Sequence, residues 1–217
     1  MKRILIYGAA VFDVVKLIEA INRMNSAWEI LGFLDDTPSL KGKLINGYPV
    51  LGGRELIPEF VNQAGTYFFN NVNGTRPDCR HVVDLLISYN CKIPSLVHPT
   101  IDLNYVKLGS GCIIPEGCAL SANVTIGDHV TVRNGSTISH DVTIEDFVLL
   151  GPGATIGGRA ILRKGCLIGA GATVLFEAEV GEFSTVGAGA VVTKNVAPYK
   201  TVAGVPAKET RDRAEHE

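Results

Sequence analysis

Counting in steps of six from Leu108, every residue met as far as Val192 is aliphatic: Leu108, Ile114, Leu120, Ile126, Val132, Ile138, Ile144, Leu150, Ile156, Leu162, Ile168, Val174, Val180, Val186 and Val192. Four residues after each of the first fourteen stands a second column (Cys112, Cys118, Val124, Val130, Ser136, Val142, Val148, Ala154, Ala160, Cys166, Ala172, Ala178, Ser184, Ala190), limited to small or β-branched side chains. An α-helix repeats its apolar positions every 3.6 residues and a hairpin array alternates by two, so a period of six fits neither. It describes short parallel strands joined by sharp corners, with the aliphatic residue inside each face and the small one where the chain turns inward. Three faces to a coil make about five coils of a parallel β-helix. No insertion breaks the register, so no long loop interrupts the prism. Glycines 109, 127, 151, 157, 169, 181 and 187 follow the aliphatic column and are expected to supply corner conformations of positive φ.

The chain holds 24 glycines in 217 residues, which so many corners explain. A formal net charge of −2 argues against a broad nucleic-acid-binding face, which needs many Lys and Arg side chains against phosphates. Any anion site must be local. The apolar stretch at the N-terminus is too short for a signal peptide, and no 18-residue apolar run is present for a membrane span, so a cytoplasmic location is expected. The five cysteines have neither CxxC nor Cys/His ligand spacing, so neither a disulfide framework nor a metal site is expected. Cys112, Cys118 and Cys166 fall in the small-residue column and read as core.

Residues 1–95 follow another pattern. Ile4–Tyr7 is a short apolar strand ending in Gly8-Ala9-Ala10; Val11, Val14, Val15, Leu17, Ile18 and Ile21 then recur at helical spacing, and Trp28–Leu34 is a second strand ending in Asp35-Asp36. This is a βαβ unit of Rossmann-like, α/β type. Ligands of such units bind at the carboxyl ends of the strands, where Gly8, Asp35 and Asp36 stand. The alternative stays open that Gly8 is only a tight turn and Asp36 only caps a loop. Asn46-Gly47-Tyr48-Pro49 reads as a hairpin turn, Thr66–Phe69 as a strand followed by a loop with Asn70, Asn71, Asn73 and Gly74, and Asp78–Tyr89 as a helix.

Several motifs come in a telling order: Gly32-Phe33-Leu34-Asp35-Asp36, Gly47-Tyr48-Pro49-Val50-Leu51-Gly52, His98-Pro99-Thr100, His140-Asp141, Gly151-Pro152-Gly153-Ala154, Gly187 to Val192 and Gly204-Val205-Pro206-Ala207-Lys208. With them the chain resembles the sialic-acid O-acetyltransferase-like group of hexapeptide-repeat acyltransferases, which includes N-acetyltransferases acting on nucleotide-linked 4-amino sugars. The resemblance implies that the β-helix winds left-handed and that the protein is a homotrimer with active sites between subunits. It implies an organisation into a nucleotide-sugar-binding domain (1–95), an acyltransferase β-helix (96–196) and a C-terminal segment near acetyl-CoA (197–217). Gly8, Asp35 and Asp36 would hold the nucleotide. Gly169, Ala170, Gly171, Gly187, Ala188 and Gly189 would line the acetyl-CoA co-substrate, with Lys194, Val205, Pro206 and Lys208 near its adenosine end. No permanently bound cofactor is implied. The sequence departs from the family pattern at Ser139, where many relatives carry Glu, and at Leu149, where many carry a second histidine.

Acetyl transfer from a thioester needs a base for the attacking group and a donor for the tetrahedral oxyanion. Among five histidines, His140 stands at an outward corner two residues past the inward Ile138, beside Asp141, which is placed to orient the ring. The family's catalytic histidine falls on the same residue. Gly158 is selected by the resemblance as the oxyanion donor, and it lies eighteen residues after His140, three hexapeptides and therefore one coil on. His98 reads as a junction residue, His129 as an outward corner residue, His81 as helical and His216 as part of the polar tail. The expected activity is N-acetylation of a nucleotide-linked amino sugar, with O-acetylation of a sugar hydroxyl and a non-catalytic trimeric sugar-nucleotide-binding scaffold as alternatives.

Overall fold

A computed structural model describes residues 1–10, 13–72 and 77–212. It divides into two compact units, 1–95 and 96–217. The first unit runs β1 (Lys2–Tyr7), α1 (Asp13–Asn25), β2 (Trp28–Leu34), β3 (Leu44–Ile45), β4 (Tyr48–Gly52), α2 (Ile57–Val61), β5 (Thr66–Asn70) and α3 (Pro77–Ser88), with two 3₁₀ turns. Its sheet has the order β3-β4-β2-β1-β5. Only β3 runs antiparallel to its neighbour; β4, β2, β1 and β5 are mutually parallel. The β1-α1-β2 crossover is the βαβ unit expected from the sequence. On α1 the residues at helical spacing (Val14, Leu17, Ile18 and Ile21) are buried, while Asp13 in the first turn and Arg23 in the last complement the helix dipole. Val11, Asn73 and Gly74 lie outside the described residues. The β3-β4 turn is the expected hairpin: Asn46 and Gly47 both take positive φ, at 48° and 88°, as a two-residue turn between twisted strands requires.

In the second unit each hexapeptide forms a two-residue strand, and strands eighteen residues apart pair in parallel, as in Thr125↔Thr143, Thr131↔Leu149 and Thr137↔Thr155. Three sheets result. The face with Lys107–Leu108 as its first strand is called the first, that from Ile113–Ile114 the second and that from Ala119–Leu120 the third. The inward aliphatic residues from Ile114 to Val192, Leu120 apart, are at most 2 % exposed. Burying each contributes about 2 kcal/mol. Ser136 and Ser184 occupy the small column without loss, because their hydroxyls donate to the Arg133 and Gly181 carbonyls at 2.8 and 2.6 Å. Lys200–Ala203 continues the second face beyond Thr185–Val186 and turns back as Lys208–Asp212 in an antiparallel pair, which covers the edge of the last full coil. This is the architecture anticipated: an α/β unit followed by a parallel β-helix of hexapeptides.

The glycine expectation needs correction. None of glycines 109, 127, 151, 157, 169, 181 and 187 has a positive φ; that conformation falls two residues later in each corner. The first corner position needs glycine for another reason. A Cβ at Gly151 would meet Ala170 N at 2.6 Å, and one at Gly169 would meet Ala188 N at 2.5 Å, so the next coil's backbone fills the space. The left-handed third position, by contrast, is held by Asn123, Asp141, Arg159, Glu177, His129, Phe147 and Phe183 as well as by glycine.

Cys112 and Cys166 are wholly buried, and burial pushes the Cys166 thiol far above its ordinary range; burial also raises Cys91, to about 11. All five cysteines are free thiols. In a timed alkylation read by mass spectrometry, Cys112 and Cys166 are therefore expected to react only when denaturant is added. Labelling of either in the native protein would contradict this core. Among the described residues, no helix is long and apolar enough to cross a membrane.

Candidate active site

His140 and Asp141 are the second and third residues of a corner that leaves the third face. Asp141 takes φ +60°, and its carboxylate turns back to the preceding ring, with Oδ2 2.8 Å from His140 Nδ1. The two side chains are 53 % and 43 % exposed, so the pair faces solvent rather than serving the core. The hydrogen bond to His140, and next that from Asn123, hold the Asp141 carboxyl below the usual carboxylate range. An ionised Asp141 accepts a hydrogen bond from Nδ1–H, which leaves the lone pair on Nε2.

Gly158 occupies the same corner one coil on. A Cβ there would lie 2.9 Å from His140 Nε2 and 3.0 Å from Cε1, so with the ring in this position glycine leaves the space that it rests against. The stacking is fixed by Arg159 N–H donating to the His140 carbonyl at 3.0 Å. The Gly158 carbonyl accepts from Glu177 N–H at 3.0 Å; among the described residues its own N–H has no acceptor, although Gly158 is buried. The His140 ring thus packs against a residue whose backbone N–H has no acceptor among the described residues, and acyl transfer calls for a base and a hydrogen-bond donor. Further along this corner, Arg159 pairs with Glu177 at 3.0 Å and its guanidinium lies 4.2 Å from the Phe176 ring centroid.

The glycine-rich segments lie at the opposite edge of the third face. There the third corner position is glycine in every coil, at 117, 135, 153, 171 and 189, all with positive φ and all exposed. Conformation does not demand this, since the other corners hold Asp, Arg and Phe at the same φ. Nor does internal space, because a Cβ at Gly171 or Gly189 would find nothing within 4 Å. Gly169 and Gly187 differ: their Cβ positions would meet the next coil's backbone at 2.5 Å and Ala203 Cβ at 3.1 Å. Ala170 and Ala188 are exposed between them. The Gly204–Ala207 loop joins this edge, for Val191 N–H donates to the Gly204 carbonyl and Ala207 N–H to the Val191 carbonyl, at 3.0 and 2.8 Å. Val205, Pro206 and Lys208 are exposed on or beside that loop. Lys194, also exposed, follows Val192 on the His140 edge instead.

In the first unit Gly8, Asp35 and Asp36 are brought together at the strand ends, but their hydrogen bonds go largely to neighbouring residues of the fold. Gly8 has φ +98°; its N–H donates to the Leu34 carbonyl at 2.8 Å and its carbonyl accepts from Asn71 Nδ2 at 2.9 Å. Asp35 accepts from Ala9 N–H and Thr37 N–H, both at 2.9 Å. Asp36 accepts from the Tyr7 hydroxyl at 2.5 Å and from Arg54, through its backbone N–H at 2.8 Å and its guanidinium Nε at 2.9 Å. Burial acts to raise the Asp36 carboxyl, but the Arg54 and Tyr7 hydrogen bonds outweigh it and hold the group low; burial, then Asp36, push the Tyr7 phenol up. Nothing in the sequence marks Tyr7 or Arg54 for this role, because neither belongs to a periodic column. A shallow cavity of about 340 Å³ lies beside Arg54, lined also by His81, Asp84 and Ser88.

Two of the other histidines are engaged locally, while His216 lies outside the described residues. His98 Nδ1 lies 2.8 Å from the Thr100 hydroxyl, and the His129 ring stacks on Phe147 at 5.2 Å. Leu149 faces outward on the second face, half-buried beside Leu167 and Thr131 in the paired strands.

Residues 105–140 and 141–175 of the prism match the model of the bacterial transferase hexapeptide family (six repeats). Over nearly its whole length the chain is similar to the acetyltransferase domain of PglB from Neisseria gonorrhoeae, at 28% identity, with 97% of this chain and 100% of that one covered and a TM-score of 0.86. That domain has also been seen in complex with acetyl coenzyme A. WeeI from Acinetobacter baumannii is 25% identical over 97% of this chain and 100% of its own, with a TM-score of 0.81. The fold is shared too with a single-residue mutant of GDP-perosamine N-acetyltransferase from Caulobacter crescentus in complex with CoA and GDP-perosamine, at 23% identity, 98% coverage of both chains and a TM-score of 0.86. No curated protein sequence matches the chain.

Proposed function

We propose that this protein is an acetyl-CoA-dependent acetyltransferase that N-acetylates an amino sugar carried on a nucleotide. The observation that carries the reading is the Asp141-His140-Gly158 arrangement, which sets a base beside an unpaired backbone donor on a hexapeptide coil. In the reaction the amine attacks the thioester carbonyl and a C–N bond forms. His140 Nε2 takes the proton, Gly158 N–H stabilises the oxyanion, and as the C–S bond breaks the leaving CoA thiolate receives that proton from His140 and departs as the thiol. The exposed glycines at 171 and 189, required neither by conformation nor by internal packing, support a line along which the pantetheine approaches the backbone closely, with Ala170, Ala188 and the Val205–Lys208 segment beside it. Gly8, Asp35 and Asp36 are proposed for the nucleotide, each carboxylate using its remaining lone pairs.

His140 and the glycine line occupy different edges of one prism, so a single chain does not gather them at one corner. This supports a homotrimer in which a corner of one copy meets an edge of the next. Five free thiols and the need for acetyl-CoA support a cytoplasmic location. The proposal is tested by measuring thiol release from acetyl-CoA with a panel of amino-sugar nucleotides and free sugars. N-acetylation requires release with the amino-sugar nucleotides. Release only with hydroxyl acceptors would replace it by O-acetylation, and none with any acceptor would leave a scaffold.

Acetyl-CoA at a hundredfold excess over its Kd is expected to stabilise the native protein by about 2.7 kcal/mol, seen as a rise in melting temperature. No shift at millimolar concentration would contradict acetyl-CoA binding.

A further inference from the structure

We infer that Asn123 is a positioning residue for His140, acting through Asp141; the inference rests on the acetyltransferase reading above and deepens it. Asn123 stands eighteen residues before Asp141, on the same corner one coil earlier, and its Nδ2 donates to Asp141 Oδ1 at 3.1 Å. The other carboxylate oxygen, Oδ2, is the one at His140 Nδ1. Asp141 is thus held at both oxygens, by an amide on one coil and by the ring on its own. The coil on the far side supplies no equivalent grip: Arg159, at the same register, is turned to Glu177 at 3.0 Å.

The chemistry suits an amide. Asp141 is 43 % exposed, so water competes for its oxygens and a carboxylate held at one oxygen alone rotates away from the ring. An uncharged donor fixes the other oxygen without neutralising the charge that the imidazolium needs. Both Asn123 and Asp141 have positive φ, 63° and 60°, a conformation that Asn and Asp tolerate better than most residues. By fixing Asp141, Asn123 keeps the ring proton on Nδ1 and the lone pair on Nε2, against Gly158. An unrestrained imidazole distributes its proton between the two nitrogens according to the hydrogen bonds each can make.

The test compares the full-length protein with Asn123→Gly, which deletes the amide without backbone strain, and Asn123→Asp, which keeps the shape but opposes one carboxylate with another. Two properties are read: the neutral-ring tautomer of His140, by ¹⁵N NMR of histidine-labelled protein assigned with His140→Ala, and kcat and KM for acetyl transfer. The expected result for Asn123→Gly is a gain of the Nε2–H tautomer and a kcat lower by roughly five- to tenfold, part of what a general base supplies, with KM for acetyl-CoA unchanged. Asn123→Asp is expected to lose more. An unaltered tautomer overturns the inference, even if the melting temperature falls, because a purely structural tie would change stability alone. An unaltered kcat with a changed tautomer overturns it as well. If the wild type transfers no acetyl group to any acceptor, the acetyltransferase reading fails on its own, and the tautomer still decides whether Asn123 orients the ring.

Discussion

Replacing His140 with alanine is expected to slow acetyl transfer by about 10²- to 10⁴-fold while leaving the fold and the affinity for acetyl-CoA close to wild type. The two halves of that expectation come from separate observations. His140 is 53 % exposed and its ring contributes nothing to the aliphatic interior, so truncation costs little stability. Its Nε2, by contrast, is the nitrogen set against Gly158. The pH dependence of the residual activity is informative: an amine acceptor loses its ammonium proton to solvent as the pH rises, whereas a hydroxyl depends on the base throughout. Partial recovery of the alanine variant at high pH is therefore expected for an amino sugar. The measurement is thiol release under saturating acetyl-CoA, with thermal unfolding alongside. A variant that keeps more than about a tenth of wild-type kcat would remove His140 from the base role.

A large loss of stability is expected from Gly157→Ala, a change of a single methyl group. The added Cβ would fall 2.6 Å from Phe176 N, 2.8 Å from Leu175 C and 2.9 Å from the Val174 carbonyl oxygen, all main-chain atoms of the adjoining coil. No side-chain rotation relieves such contacts. The coils must part where Thr155 pairs with Thr173, and the interior cannot follow without opening a gap. A loss of about 4 kcal/mol or failure to fold is expected, measured by urea unfolding. Gly171→Ala is the companion variant. Its Cβ meets nothing within 4 Å, so it bears only the strain of φ +64°, roughly 1 kcal/mol, and remains folded. Its affinity for acetyl-CoA should nevertheless fall, because the methyl stands on the proposed pantetheine line. If the two substitutions destabilise equally, coil stacking is not what requires Gly157.

The β-helix was legible because a repeated unit writes its interior into the sequence fifteen times over, and Ile138 or Leu162 needs no context to be assigned inward. The same period placed Gly158 on His140, since a step of three hexapeptides is one coil. It would also have found Asn123, had the step been taken backward from Asp141. The corner glycines were misjudged because a glycine in sequence does not disclose whether φ or space requires it; Gly157 answers to a neighbouring backbone and Gly171 to neither. In the first unit the strand and helix periods were visible, but the bonds that close the Gly8 loop were not. Tyr7, Arg54 and Asn71 reach their partners across 29, 18 and 63 residues, with no periodicity to announce them.

The pairing of strands eighteen residues apart has a consequence for how such a chain can change length. Adding or deleting one residue within the coils would turn every later side chain away from its place, sending aliphatic residues outward and corner residues into the interior. A whole coil can be gained or lost with the register intact, provided that the closing hairpin from Lys200 to Asp212 still covers the end. Length in this half of the protein is therefore quantised in units of one coil, and duplicating a coil would shift His140 and the glycine line along the prism by whole steps without altering either.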